Sequence, residues 1–317
     1  MKSFGGAFLR LSGFIISKPI LFIGILMIPS GTTMQGQSHV AEPSVNLGDS
    51  SFLDGIGGPG FLTEQMNDFE HDGRITNSSG QTEPGSGSVN SVSGLSHVAW
   101  LAHQRVLGGW YGMEVLGTEA YVDAGSQGHR GGFGDLTVSP FILQWPEKRV
   151  FGIPIDQRFD VDFGVPVGKY SPTSNVNLSS NAFNVQPYYA ITAFPKKRIE
   201  TSWRFHYLWN ATNDAPPINT GAQSTQAGQA IHFNATAAYN VYKGLWIGAN
   251  GYYLKQITDG RINGVPLSNS PEQVGAIGPG MVWGVGNWYY YANYYQELGA
   301  ENRPTGPKLV LRIEKVF

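Results

Sequence analysis

The chain has 317 residues, of which 14% are charged and 13% are aromatic, with 42 glycines and no cysteine. The lack of cysteine excludes a disulfide scaffold, a cysteine metal cluster and a thiol nucleophile, and a net charge of −2 without a basic run gives no footprint for nucleic acid. The mean hydropathy of −0.18 is too polar for a bundle of membrane helices, whereas a β-barrel with one lipid-facing and one lumen-facing register stays near neutral.

The N-terminus has the pattern of an export signal. Three basic residues precede or border an apolar run at residues 19–28, which is roughly half the length that a membrane-spanning helix needs. We therefore predict a signal peptide at residues 1–41, with cleavage within 36–41, followed by a periplasmic N-terminal segment at residues 42–59. A short membrane anchor is the alternative interpretation.

From residue 60 onward, the chain contains repeated stretches in which every second residue is apolar, the period of a strand with two different faces. The clearest stretch is 159–167, where apolar residues alternate with Asp160, Asp162 and other polar or small residues. The first three stretches alternate poorly. The pattern predicts strands at residues 60–70, 95–104, 110–122, 135–146, 157–168, 182–194, 200–210, 230–242, 244–257, 272–284, 287–297 and 307–317.

Long connections rich in glycine, serine, asparagine, threonine and proline alternate with short ones. The long ones are predicted at residues 71–94, 123–134, 169–181, 211–229, 258–271 and 298–306, and 147–156 is of middling length. This alternation is typical of barrels with long outer loops and short periplasmic turns. We therefore predict an all-β protein, an antiparallel transmembrane β-barrel of about 12 strands at residues 60–317, surrounded by lipid in the outer membrane of a Gram-negative-type bacterium.

The last predicted strand ends on an aromatic residue. Its apolar positions are Leu309, Leu311, Ile313 and Phe317, and the interleaved positions are mostly charged. An alternating strand with a terminal aromatic resembles the signal by which the outer-membrane insertion machinery recognises its clients. Lys315, on the lipid-facing register, departs from that pattern, but a long cationic side chain can snorkel to the interface.

If the apolar register faces lipid, the opposite register lines the lumen. The lining residues predicted in this way are Arg158, Asp160, Asp162, Glu200, Arg204, His206, His232, Lys308, Arg312 and Glu314. Both charge signs are present in nearly equal number. Such a lining can act as a selectivity region, or its ion pairs can close a narrow interior, and the sequence leaves both interpretations open.

Asp135 follows Gly132, Phe133 and Gly134 at an expected loop junction. Aspartate beside glycine commonly serves a turn, so we expect Asp135 to cap one. A carboxylate that anchors a loop or contacts a ligand is the alternative.

Several short stretches occur in a familiar order and spacing: residues 57–61, 132–140, 164–170, 181–187 and 315–317. On these stretches, from about residue 55 to the end, the chain resembles the outer-membrane "MetA-pathway of phenol degradation" family of transporter-like barrels. Phe61 stands where many relatives carry tyrosine. The resemblance implies a barrel that moves small hydrophobic or aromatic compounds across the outer membrane.

We therefore expect a channel or carrier for passive movement of small compounds, and no enzyme. The chain has no Gly-x-Ser-x-Gly elbow and no histidine–carboxylate spacing of a metal site, so no cofactor is expected. Two alternatives remain open: an outer-membrane lipid-modifying enzyme, with His206 or His232 in its site, and a structural or adhesive barrel whose outer loops bind a partner.

Overall fold

A computed structural model describes residues 40–317, which form a closed barrel of twelve antiparallel strands. Most of the predicted signal peptide, residues 1–39, lies outside the described residues. Within the described part of the chain, no helix is long and apolar enough to cross a bilayer. The prediction of a twelve-stranded antiparallel barrel is confirmed.

Each strand pairs with its neighbours in sequence, and the first strand pairs with the last to close the barrel. The strands are β1 (Gly60–Asp72), β2 (Val89–Val106), β3 (Gly109–Asp123), β4 (His129–Val150), β5 (Ile153–Val165), β6 (Asn184–Lys196), β7 (Ile199–Asn210), β8 (Ala230–Tyr242), β9 (Leu245–Gln256), β10 (Gln273–Val285), β11 (Trp288–Glu301) and β12 (Pro307–Val316).

The two ends of the barrel differ in their connections. At one end, here called the turn end, five two-residue turns join the strands, at 107–108, 151–152, 197–198, 243–244 and 286–287. Both residues of the Leu107–Gly108 turn have positive φ, as the twist of a tight hairpin requires. At the other end, the loop end, the connections are 73–88, 124–128, 166–183, 211–229, 257–272 and 302–306.

Two of the predicted long loops are short. The connections at 124–128 and 302–306 each have five residues, because β4 begins at His129 and β11 extends to Glu301. Glycines at 131, 132 and 134 made the start of β4 look like a loop in the sequence, but its backbone pairs with β3 through this stretch. The middling connection at 147–156 is a two-residue turn.

The loop end is covered by ordered loops. Asp135 anchors the 166–183 loop, because its two carboxylate oxygens accept hydrogen bonds from the backbone N–H of Gly168 and of Ser180, both at 3.1 Å. This is the loop-anchoring alternative rather than a local turn cap. Val176 and Leu178 of the same loop pack against buried residues of β2 and β3, and so close part of the barrel mouth.

Residues 40–59, here called the inner segment, lie inside the barrel. At the loop end, the backbone N–H of Glu42 donates to Glu272 at 3.0 Å. Farther down, the N–H of Gly48 donates to Asn234 at 2.9 Å, and near the turn end the N–H of Gly55 donates to Thr192 at 2.8 Å. Residues 42–59, predicted as a periplasmic N-terminal segment, run through the lumen from the loop end to the start of β1.

Two apolar contacts hold the inner segment against the β8–β12 side of the wall. Leu47 packs in a cluster with Tyr252 and Tyr295, and Phe52 is fully buried in a second cluster with Trp246 and other wall residues. The barrel interior is thus filled on one side by a piece of its own chain.

Candidate functional site

A cavity of about 3050 Å³ remains in the lumen beside the inner segment. Its lining includes Lys197 and Lys243 at the turn end and Asp135 and Leu178 near the loop end. The space therefore extends along most of the barrel, mainly against the inner faces of β1–β7.

The lining residues predicted from the sequence all lie on the inner face. Six of them border the cavity directly: Arg158, Asp162, Arg204, His206, Arg312 and Glu314. Asp160, Glu200 and His232 are buried and covered by other groups. Lys308 is also buried, in contact with the inner segment. On the outer face, Leu309, Leu311, Ile313 and Phe317 are exposed.

Two ion pairs tie the inner segment to the wall. Arg204 binds Asp54 through both nitrogens of a bidentate contact, Nε–Oδ2 at 2.7 Å and Nη2–Oδ1 at 2.5 Å, which is the strongest geometry for such a pair. Lys308 contacts Asp49 at 3.0 Å and also Asp68 of β1 at 2.7 Å. The charges of the wall thus hold the segment that occupies the lumen.

A second chain of charges crosses four neighbouring strands without the inner segment. Arg312 lies 3.3 Å from Glu64, Glu64 lies 3.5 Å from His97, and His97 lies 3.1 Å from Glu114. Of these four residues, the sequence indicated Arg312 alone. The others sit on β1, β2 and β3, whose weak alternation hid their inward direction. The pairing of β1 with the well-patterned β12 was the signal that could have revealed β1.

Among the described residues, no ion pair joins two of the predicted lining residues to each other. Arg204 binds Asp54 of the inner segment, and Arg312 binds Glu64 of β1. Within the predicted set, the ring of His206 stacks on that of His232, with ring centroids 4.2 Å apart.

The stacked histidines lack, among the described residues, the contacts of a catalytic pair. Their ring nitrogens are buried and make no hydrogen bond to a side chain of the described residues, and the polar neighbour of His232 is the backbone of Asn46. A histidine that activates a nucleophile needs a hydroxyl within hydrogen-bond reach and a group that orients the ring. The arrangement therefore offers no support for the lipid-modifying alternative.

The turn end of the cavity is basic and aromatic. Its basic residues are Arg149, Lys196, Lys197, Arg198 and Lys243, and its aromatic residues are Tyr239, Tyr242, Trp246, Trp283 and Tyr289. Glu147, Asp156 and Glu314 are the carboxylates in this part of the lining. In the sequence, residues 195–199 were only the gap between the predicted strands 182–194 and 200–210, because periodicity cannot show that they meet other residues at one mouth.

The loop end carries charges of both signs. Arg303, outside the strands, lies 3.5 Å from Glu297 and 4.0 Å from Glu272. Burial alone lowers its pKa, but these carboxylates outweigh burial and raise the pKa of Arg303 above its ordinary value. Arg303 therefore stays charged and stabilises the loop end, where Glu272 also accepts a hydrogen bond from Glu42 of the inner segment.

Comparison with known proteins gives one family and one clear structural similarity. A family model described as "Putative MetA-pathway of phenol degradation" matches residues 72–313, and no curated protein matches the sequence. An outer membrane channel from Pseudomonas putida F1 superposes with a TM-score of 0.73 at 16% identity, over 86% of this chain and 100% of the other. At that identity, the similarity establishes the fold alone.

Two further solved barrels align more weakly. The β domain of the Bordetella autotransporter BrkA has a TM-score of 0.45 at 10% identity, over 82% of this chain and 100% of the other. An outer membrane phospholipase A from Escherichia coli has a TM-score of 0.41 at 10% identity, over 93% and 94%. Neither alignment is close enough to support an argument about this chain.

Proposed function

The chain belongs to the MetA-pathway of phenol degradation family, and from this premise we propose that it is an outer-membrane channel for passive movement of small compounds, hydrophobic or aromatic ones among them. In this proposal the turn end faces the periplasm and the loop end faces the cell exterior, with outer-membrane lipid around the apolar outer face. The terminal strand, with Leu309, Leu311, Ile313 and Phe317 on its outside, serves the insertion machinery as a recognition signal.

The observation that carries the proposal is the cavity that extends beside the inner segment. Barrels of small diameter are commonly filled by side chains, but here space for a small solute lines up with the barrel axis. The wall strands pair with one another around the whole barrel, whereas the inner segment forms no strand. This supports the proposal that the position of the inner segment sets the width of the pore.

The composition of the cavity favours an aromatic solute with a polar or anionic group. Leu95, Leu101 and Ile142 contribute apolar surface in the interior, and Lys197 and Trp246 lie at the turn end. An aromatic ring gains from apolar and aromatic neighbours, and the basic mouth attracts negative charge.

Refolded full-length protein tests the proposal in planar bilayers and in liposomes loaded for uptake of a labelled aromatic acid. We expect small, reproducible conductance and uptake above protein-free liposomes. Replacing Lys196, Lys197 and Lys243 with glutamine is expected to slow uptake of the acid, whereas Lys255→Gln, on the outer face, serves as the matched control. A folded barrel that passes neither ions nor the aromatic acid contradicts the proposal.

A further inference from the structure

Three carboxylates meet on the inner wall away from the inner segment. Glu114 of β3 and Asp160 and Asp162 of β5 are buried, and one oxygen of each lies within 4.8 Å of the others. β4 lies between the two strands, and its Ser139 is paired with Glu114 and donates a hydrogen bond to Asp160. The three side chains therefore converge on one point of the wall.

The positive groups nearest this point are mostly engaged elsewhere. Arg158 donates to Gln144 at 3.0 Å, and Arg204 binds Asp54. Among residues 40–317, the only ion-pair partner of the three carboxylates is His97, which contacts Glu114. Three negative charges so close together repel one another strongly unless a cation or protons compensate them.

A second observation concerns Asp162. Its Oδ1 atom is buried and has no hydrogen-bond partner among the described residues, whereas both oxygens of Asp160 accept hydrogen bonds, from Ser139 and from Tyr188. A buried carboxylate oxygen without a donor is costly. Because Asp162 is also one of the three converging groups, this free oxygen points to a ligand at the same place.

We propose that Glu114, Asp160 and Asp162 bind a divalent cation, Ca²⁺, in the wall of the lumen. An all-oxygen set of carboxylates is the ligand type that hard cations prefer. Two oxygens that share one Ca²⁺ at its usual bond lengths can be no more than about 5 Å apart, and the observed separations satisfy this limit.

Ca²⁺ suits the site better than Mg²⁺. Ca²⁺ accepts an irregular shell of six to eight oxygens, whereas Mg²⁺ requires near-octahedral geometry. Glu114 and Asp162 border the cavity, so solvent can complete an irregular shell from one side. The cation would join β3 to β5 across β4 and neutralise the wall there, independently of whether the barrel conducts.

The full-length refolded protein, stripped with a chelator, is titrated with Tb³⁺ in a zwitterionic detergent while tyrosine is excited. Tyr188 donates its hydroxyl hydrogen bond to Asp160 at 2.9 Å, so a Tb³⁺ ion at the site lies beside an energy donor. We expect saturable Tb³⁺ emission that Ca²⁺ displaces. Absence of saturable emission, or emission that Ca²⁺ leaves unchanged, overturns the proposal.

Matched variants locate the ion. Asp162→Asn keeps the size of the side chain and is expected to weaken Ca²⁺ competition by about tenfold or more, because one ligand charge is lost. Asp156→Asn, on the inner face of the same strand about 13 Å from Asp160 and about 20 Å from Asp162, is expected to leave it unchanged. Equal affinity in Asp162→Asn and the wild type overturns the assignment.

Two further measurements keep the test decisive if Asp162→Asn fails to fold. Tyr188→Phe retains all three carboxylates, so it is expected to lose sensitised emission while Ca²⁺ binding measured by calorimetry persists. In the wild type, Ca²⁺ is expected to raise the unfolding temperature relative to chelator, since a ligand of the folded state stabilises it. No calorimetric Ca²⁺ binding and no thermal shift overturn the proposal.

Discussion

Phe52 is a fully buried apolar contact between the inner segment and the wall. Its side chain is fully buried among Ala238, Trp246, Val282 and Tyr291, and an added atom on Gly280 would lie 2.8 Å from its ring. Because the ring fits this closely, a smaller side chain at position 52 would leave a gap.

We expect Phe52→Ala to lower the free energy of unfolding by about 3–5 kcal/mol, the usual cost of removing a buried phenylalanine. Urea titration of the refolded barrel, followed by tryptophan fluorescence, measures the change. Phe151→Ala is the matched control, because Phe151 lies in a turn and is 99% exposed. Equal stability of the two variants would show that the inner segment contributes little to the fold.

The stacked histidines are a second residue-scale feature with a measurable consequence. His206 and His232 lie directly opposite each other on β7 and β8. Both ring nitrogens of His206 are buried without a hydrogen-bond partner among the described residues, and His232 has only the backbone of Asn46 as a polar neighbour there. Each such buried polar group carries a desolvation cost of about 1–3 kcal/mol.

The double variant His206→Phe, His232→Phe keeps two stacked rings and removes the unpaired nitrogens. We therefore expect the barrel to be more stable by about 1 kcal/mol or more, measured as the shift of the denaturant midpoint. A loss of stability would indicate that the histidines have partners beyond the described residues. Trp203 and Phe205, which stack on the outer face of β7, are retained in this variant. Their unchanged environment shows that β7 is still intact.

At the scale of elements, the 166–183 loop depends on one side chain. Asp135 accepts hydrogen bonds from Gly168 and from the backbone and hydroxyl of Ser180. Asp135→Ala is expected to favour opening of this loop by about 1–3 kcal/mol without unfolding the barrel, seen as faster amide exchange or proteolysis. Asp214→Ala, at an exposed position of the neighbouring loop, is the control, and equal protection in both variants would contradict the anchoring role.

Strand prediction succeeded where the two faces of a strand differ in chemistry. In β5, Asp160 and Asp162 face inward while Phe159 and Val161 lie on the other register, so the period of two is visible. In β1, the outward positions include Thr63, Gln65 and Asn67, which resemble the inward ones. The inward Glu64, and with it the His97–Glu114 chain, was therefore missed.

The inner segment could not be predicted from local pattern. It forms neither helix nor strand, and its position depends on partners far away in the chain, such as Asn234 for Gly48. One of its glycines, Gly48, is required by a distant contact. Gly48 has φ +86° and lies so close to the ring of Tyr295 that a Cβ would be 2.7 Å from it. Periodicity reports on faces of regular elements, and this segment has none.

At the scale of the whole molecule, the barrel wall and the inner segment are two distinct parts of the fold. Deleting residues 42–56 is expected to leave the twelve strands paired, because the ladders do not include this segment, and to raise single-channel conductance well above that of the full chain. Heat-modifiable migration on gels checks that the barrel has formed. Unchanged conductance in a folded deletion variant would place the restriction in the wall or in the loops instead.

The location of the inner segment also constrains the order of events during folding. Asp49 precedes β1, yet it binds Lys308 of β12, 259 positions later, and Gly48 binds β8. The contact with Lys308 cannot form until β12 exists, whereas the contact with Asn234 requires only β8. Because pairing of β1 with β12 encloses the segment, we expect it to lie in the lumen before the barrel closes. Contacts of such long range slow folding, so we expect closure around this segment to be a slow step.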